Sequence, residues 1–122
     1  MTATLDSSIG DLVAISVSTS DSTAHVSVSG EVDSNTAPQL RDELDAVLDR
    51  GVGEVVVDLG GVSFLDSAGL CVLAAIHRQT QGRGIRLRVL ASSRAVIRPM
   101  QITGLWDLLE AEQVEPAADR LD

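Results

Sequence analysis

The sequence predicts an α/β layer, a sheet with helices packed on one side, from three observations. Apolar and polar residues alternate with period two in several short runs, the mark of half-buried strands. Between those runs, apolar residues recur at helical spacing. Glycines and capping residues punctuate the joins, so the order reads β-β-α-β-α-β-α-α, and strands separated by helices make an α/β layer. The 122 residues (12.8 kDa) suit one domain over 1–122, with a core from about 12 to 109 and an acidic tail over 110–122. Such a chain buries roughly two-thirds of its unfolded surface, enough for a core without disulfide or metal staples. Hydrophobic residues make up 44% and aromatics 2%, Phe64 and Trp106 alone, so Val, Leu, Ile and Ala must fill that core.

Leu12 to Val17 is a short apolar run and the first expected strand. Ala24 to Val32 alternates cleanly, with Ala24, Val26 and Val28 on one face and His25, Ser27, Ser29 and Glu31 on the other. Val55-Val56-Val57 is unbroken, as expected of a central strand. Ile85, Leu87 and Val89 alternate with Arg86 and Arg88 in a fourth. Thr36 to Gln39 has capping-box spacing with Pro38 in the first turn, and Leu40, Leu44, Val47 and Leu48 form one stripe before Gly51. A second helix is predicted from about Ser67 to Gln81, stopped by Gly82 and Gly84. Ser92-Ser93 cap a third, carrying Val96, Ile97, Met100 and Ile102, in which Pro99 should cause a kink or an early end. Gly104 then breaks the chain before a short last helix with Leu105, Trp106, Leu108 and Leu109, and the tail after Glu110 is expected to fray.

Charge narrows function. Eighteen acidic residues oppose nine arginines with no lysine, a formal charge of −9. That surface repels phosphate backbones and anionic lipid heads, so neither nucleic acid nor membrane is an expected partner. The longest apolar run, Leu70 to Ile76, is too short to span a bilayer, and Met1 to Gly10 lack the pattern of a secretory signal. A lone cysteine, Cys71, cannot form an internal disulfide. A cytoplasmic protein is the expectation.

Enzyme constellations are missing. His77 lies ten residues beyond Ser67 on one predicted helix, about 15 Å along its axis, too far for a nucleophile–base pair. His25 sits on a wet strand face. Gly61-Val62-Ser63-Phe64-Leu65 fails the nucleophile-elbow pattern at its last position, and no CxxC or HxxxH spacing offers a metal site. Gly51-Val52-Gly53 precedes a strand and lacks a third glycine, and without lysine there is no Walker-type loop. No enzymatic activity, cofactor or metal is expected.

What remains is Phe64-Leu65-Asp66-Ser67-Ala68-Gly69-Leu70, between the central strand and the second helix. Asp66 and Ser67 both favour the N-cap. At about 100° per residue, Leu70, Val72, Leu73, Ile76 and Thr80 share the core side, while Ser67, Cys71, Ala74, Ala75 and Arg78 fall opposite. That outer strip is small and nearly neutral where long charged side chains are usual. It reads either as an ordinary alanine-rich helix or as a docking strip with a hydroxyl at its rim. Phosphate on Ser67 would add about −1.5 to −2 charges, tolerable at a helix N-terminus but obstructive to a docked protein.

The pieces Gly30-Glu31-Val32-Asp33, Val57-Asp58-Leu59, Phe64 to Leu70 and Gly104-Leu105 resemble the STAS domain, specifically bacterial anti-sigma factor antagonists, over about Leu12 to Leu109. The resemblance implies a single STAS-type domain with a mixed sheet of four to five strands and about four helices on one face. It also implies a partner switch: the unphosphorylated form binds an anti-sigma factor and so frees its sigma factor. That partner is typically a serine kinase with a histidine-kinase-like ATPase fold, and a metal-dependent serine phosphatase reverses the modification. Ser67 matches the phosphoacceptor, Asp66 the acidic residue before it, and Asp33 the acidic residue after the second strand, near the same docking surface. Pro99 and Trp106 depart from the family pattern. The alternatives are a STAS module without serine phosphorylation, in a signalling scaffold or a lipid transporter, and redox control through Cys71.

Overall fold

A computed structural model describes residues 13–116. The expected strand start at Leu12, the first ten residues and the last part of the tail lie outside the described residues. The elements are β1 (Val13–Ser20), β2 (Thr23–Val32), α1 (Ala37–Leu48), β3 (Glu54–Leu65), α2 (Ser67–Arg83), β4 (Arg86–Ala91), α3 (Arg94–Thr103), α4 (Leu105–Leu108) and β5 (Glu112–Gln113). They form one mixed five-stranded sheet in the order β1-β2-β3-β4-β5, with β1 antiparallel to β2 and every other pair parallel. Each parallel crossover steps the same way across the sheet, and right-handed crossovers then place the helices on one face.

Burial follows the alternation. Ala24, Val26 and Val28 are buried in β2, whereas His25, Ser27 and Ser29 are exposed. Val55, Val57 and Leu59 carry the same face across β3 and meet Leu40, Leu44 and Val47 of α1, Leu73 and Ile76 of α2, and Val96 and Met100 of α3 in one core. Val56 points the other way, between His25 and Arg88 on the neighbouring strands, and is nevertheless buried. β3 is far longer than the Val55–Val57 run suggested, because Gly60 and Gly61 continue it through a register shift against β2. A Cβ at Gly61 would stand 2.7 Å from the Ser29 side chain, so β2 and β3 run close together there.

Four expectations are corrected. The capping box at Thr36 does not form: the Thr36 hydroxyl instead donates to Glu31 O (2.8 Å) and accepts from the Asp33 N–H (2.9 Å). Asp33 Oδ1 organises this turn, accepting from the N–H groups of Asn35 (2.9 Å) and Thr36 (3.1 Å). Ile85 lies outside β4, because its N–H returns to Thr80 O (2.9 Å) past the left-handed Gly84 to close α2. α3 does not end early at Pro99 but runs on to Thr103, whose hydroxyl donates to Pro99 O at 2.8 Å. Trp106 packs against the core beyond it.

The fourth correction concerns the tail. Glu112–Gln113 pair with Leu90 and Ala91, and the Val114 N–H donates to Ala91 O at 2.8 Å. The Arg88 guanidinium grips Glu112 with two bonds, Nε to Oε2 (3.2 Å) and Nη2 to Oε1 (3.1 Å). The hydrogen bond to Arg88, more than its charge, holds the Glu112 carboxyl below the usual carboxylate range. A carboxyl so lowered contributes stability that is present above its unfolded pKa and is lost as pH falls through the folded one. We expect Arg88→Ala to speed hydrogen exchange at the Val114 amide while the Val57 amide stays protected. In the native chain, acidification through the lowered Glu112 pKa should release β5 before the core unfolds. NMR-detected exchange checks the substitution, and the chemical shifts of residues 112–114 followed against pH check the release.

Candidate functional site

The carboxyl ends of β2 and β3 lie side by side, with Val32 opposite Leu65 and the Asp66 N–H bonded to Val32 O at 3.1 Å. The residues that follow each strand, Asp33 and Asp66, are therefore brought to the same end of the sheet. Asp66 is the N-cap of α2, its Oδ1 accepting from the N–H groups of Ala68 (2.9 Å) and Gly69 (3.4 Å). Ser67 is the first helical residue; it is exposed, and its hydroxyl has no hydrogen-bond partner among the described residues.

Gly69 explains how the helix start comes so close. A Cβ there would collide with Leu65 Cδ1 and stand 2.9 Å from Val32 Cγ1, so the first turn rests directly on the side chains that end β2 and β3. The spacing from Asp66 to Gly69 is thus a seating device: carboxylate, exposed hydroxyl, then a residue without a side chain where the helix meets the sheet.

The outer strip of α2 is partly as predicted. Cys71 and Arg78 are exposed and Ala74 is half-buried. Ala75 is not on the strip: it is buried, only 7% exposed. The reason is that α2 is covered on two sides, by the sheet beneath and by α1 alongside. Gln79 Nε2 donates to Asp45 Oδ1 (3.0 Å) and Arg83 Nη1 to Asp49 Oδ1 (2.9 Å), which fixes the α1-facing flank, and Ala75 sits one turn before Gln79 on it. The exposed arc shifts the opposite way and takes in Leu70, which is half-buried rather than a core residue.

Sequence reasoning missed Phe64, which is 46% exposed at the end of β3. The pair Phe64-Leu65 signals only that one of two large apolar neighbours in a strand faces out, not which one. Among the described residues, no group of three or more His, Cys, Asp or Glu is placed to hold a metal, and no helix is long and apolar enough to cross a membrane.

This fold and helix start define a class. The family model described as "Mlab, STAS domain" matches residues 15–110. The anti-sigma-B factor antagonist of Listeria monocytogenes is 33% identical over 88 residues, 72% of this chain and 77% of the relative. That of Staphylococcus aureus is 31% identical over 99 residues, 81% and 92% of the two chains. A crystal structure of an anti-sigma factor antagonist from Mycobacterium paratuberculosis matches with a TM-score of 0.76 at 36% identity, over 88% of each chain. The chain belongs to the STAS-domain family.

Two glycines of α2 should behave oppositely. Gly69→Ala gains up to about 1 kcal/mol of helix propensity but costs about 1–3 kcal/mol through overpacking, and is expected to destabilise. Gly82→Ala, where a Cβ meets nothing within 4 Å, should stabilise by about 0.5–1 kcal/mol. Asp66→Ala should lose about 0.5–2 kcal/mol with the cap. Urea denaturation midpoints check all three.

Proposed function

We propose that this chain is an anti-sigma factor antagonist that acts in the cytoplasm as a binding protein, not an enzyme, and changes partners through phosphorylation of Ser67. The observation that carries this reading is the exposed, uncommitted Ser67 hydroxyl beside Asp66, at the rim of the outer strip of α2 formed with Leu70, Cys71, Ala74 and Arg78. The relatives named as antagonists, at 31–36% identity, support the class of partner.

Unphosphorylated, the surface formed by Asp33, Asp66, Ser67 and the α2 strip docks an anti-sigma factor. Small side chains at Ala74 and Cys71 let the partner approach the helix closely. The same partner, acting as a kinase of the histidine-kinase-like ATPase fold, transfers the γ-phosphoryl group of ATP to Ser67. A bond forms between Ser67 Oγ and phosphorus, the bond to the β–γ bridging oxygen breaks, ADP leaves, and the kinase accepts the hydroxyl proton. A metal-dependent serine phosphatase restores the hydroxyl.

The effect of the phosphate follows from the cap. Asp66 already accepts from the Ala68 and Gly69 N–H groups, so the helix start has little left to absorb a second anion. The new charge, about −1.5 to −2, stays outward beside a carboxylate. A partner seated there has to strip water from both anions, and every 1.4 kcal/mol of that cost weakens binding about tenfold. The fold itself is untouched because Ser67 contributes no hydroxyl bond to it.

Ser67→Ala should retain binding of the cognate anti-sigma factor and take up no phosphate, read by intact mass after incubation with that factor and ATP. Phosphate uptake by this variant would reject Ser67 as the acceptor, whereas no uptake by the native chain would favour the STAS module without serine phosphorylation. Ser67→Glu should weaken binding about tenfold or more with an unchanged melting temperature, because a fixed anion reproduces part of the desolvation cost. Cys71→Arg should block binding without unfolding the domain, since Cys71 is exposed; calorimetric titration and thermal denaturation separate the two effects.

A further inference from the structure

We propose that Phe64 is the apolar anchor of the docking surface, so that the anti-sigma factor grips the end of the sheet as well as the α2 strip. This rests on the function proposed above and extends its surface to the helix-free face.

The orientation of Phe64 is produced by a bulge. Gly30 pairs with Val62, but the next residue of β2, Glu31, pairs with Phe64, leaving Ser63 as an extra residue in β3. In an unbroken strand residues 62 and 64 share a face, which would send the phenyl ring inward with Val62. With Ser63 inserted, Val62 and Leu65 are both buried while Ser63 and Phe64 are both exposed. Gly30, at φ +98°, and the Ser63 hydroxyl bond to Gly30 O (3.3 Å) accommodate the irregularity. Bulges of this kind re-aim side chains beside functional sites. Here one turns the larger of two neighbouring apolar residues out to solvent, three residues before Ser67.

Position separates Phe64 from the other exposed apolar side chains. Ile102 (73% exposed) and Leu108 (55%) are the other large ones among the described residues. α3 starts at the carboxyl end of β4 and runs back along the sheet, so Ile102 near its end lies at the opposite end of the domain from Ser67. Leu108 lines a cleft of about 260 Å³ with His77, Ile85 and Arg86, at the amino end of β4. Only Phe64 sits with Asp33, Asp66 and Ser67. A standard interface covers about 800 Å² on each partner, enough to reach from the α2 strip around the sheet end to Phe64, and aromatic anchors are where such interfaces concentrate their affinity.

The occupant is therefore the anti-sigma factor, presenting an apolar pocket to the ring. The test is calorimetric titration of that factor, with ADP, into the unphosphorylated full chain and three variants. Phe64→Ala should bind at least about tenfold more weakly, the loss typical of an aromatic hot spot. Phe64→Leu, which keeps apolar bulk and guards against loss of folding in the alanine variant, should lose less. Ile102→Ser should bind like the native chain. Native affinity in Phe64→Ala, or an equal loss in Ile102→Ser, overturns the anchor while the Ser67 switch stands. Failure of the native chain to bind overturns the anchor and the proposed function together.

Discussion

The contact between the first turn of α2 and the ends of β2 and β3 governs both the fold and the site. It depends on what is absent at Gly69: any Cβ there meets Leu65 and Val32, two residues of the core. With that approach permitted, the Asp66 N–H reaches Val32 O and the Asp66 carboxylate turns to the helix N–H groups. Ser67 is then left on the outer side, its hydroxyl without a partner among the described residues. Exposure of the hydroxyl is thus a by-product of how tightly the helix is seated, and that seating is made by the backbone and by Asp66, with no bond from Ser67.

Parallel topology gathers the candidate site at one end of the sheet. The strand ends that carry Asp33, Phe64, Asp66 and Ser67 all face one way, as ligand-binding elements do at the carboxyl ends of strands in open α/β sheets. The closures that hold the layers together include Gly84 and Ile85 after α2 and the Ser22 contacts to Gly53 and Glu54, all at the other end. The carboxyl end has closures of its own, the Asp66 N–H to Val32 O and the Ser92 and Ser93 hydroxyls to Gly60 O and Val62 O, so only exposed side chains such as Ser67 and Phe64 can change there without loosening the layers.

Much of this was legible because the core obeys simple periods. Ala24-Val26-Val28 and Leu40-Leu44-Val47 fall where alternation and helical spacing put them, and Asp66 is the cap its position suggests. The failures share a cause, which is contact with a second element. Ala75 is buried because α1 covers a flank that a single-helix projection treats as open. Thr36 does not cap its helix because Glu31 O and the Asp33 N–H, both from the preceding segment, occupy its hydroxyl. Phe64 is turned outward by an extra residue that only the pairing with β2 defines. The start of the acidic tail, at Glu112, docks because Arg88 stands on a strand more than twenty residues earlier.

The two residues of β5 have a further consequence. They occupy the outer edge of β4 at Leu90 and Ala91, which would otherwise offer open backbone groups beside an apolar stretch. A version of this domain cut short after Glu110 would keep its core yet present a raw sheet border, and such borders recruit one another. Shortened chains should therefore fail by clumping rather than by melting, and recombinant work on this domain is best begun with the segment through Val114 retained.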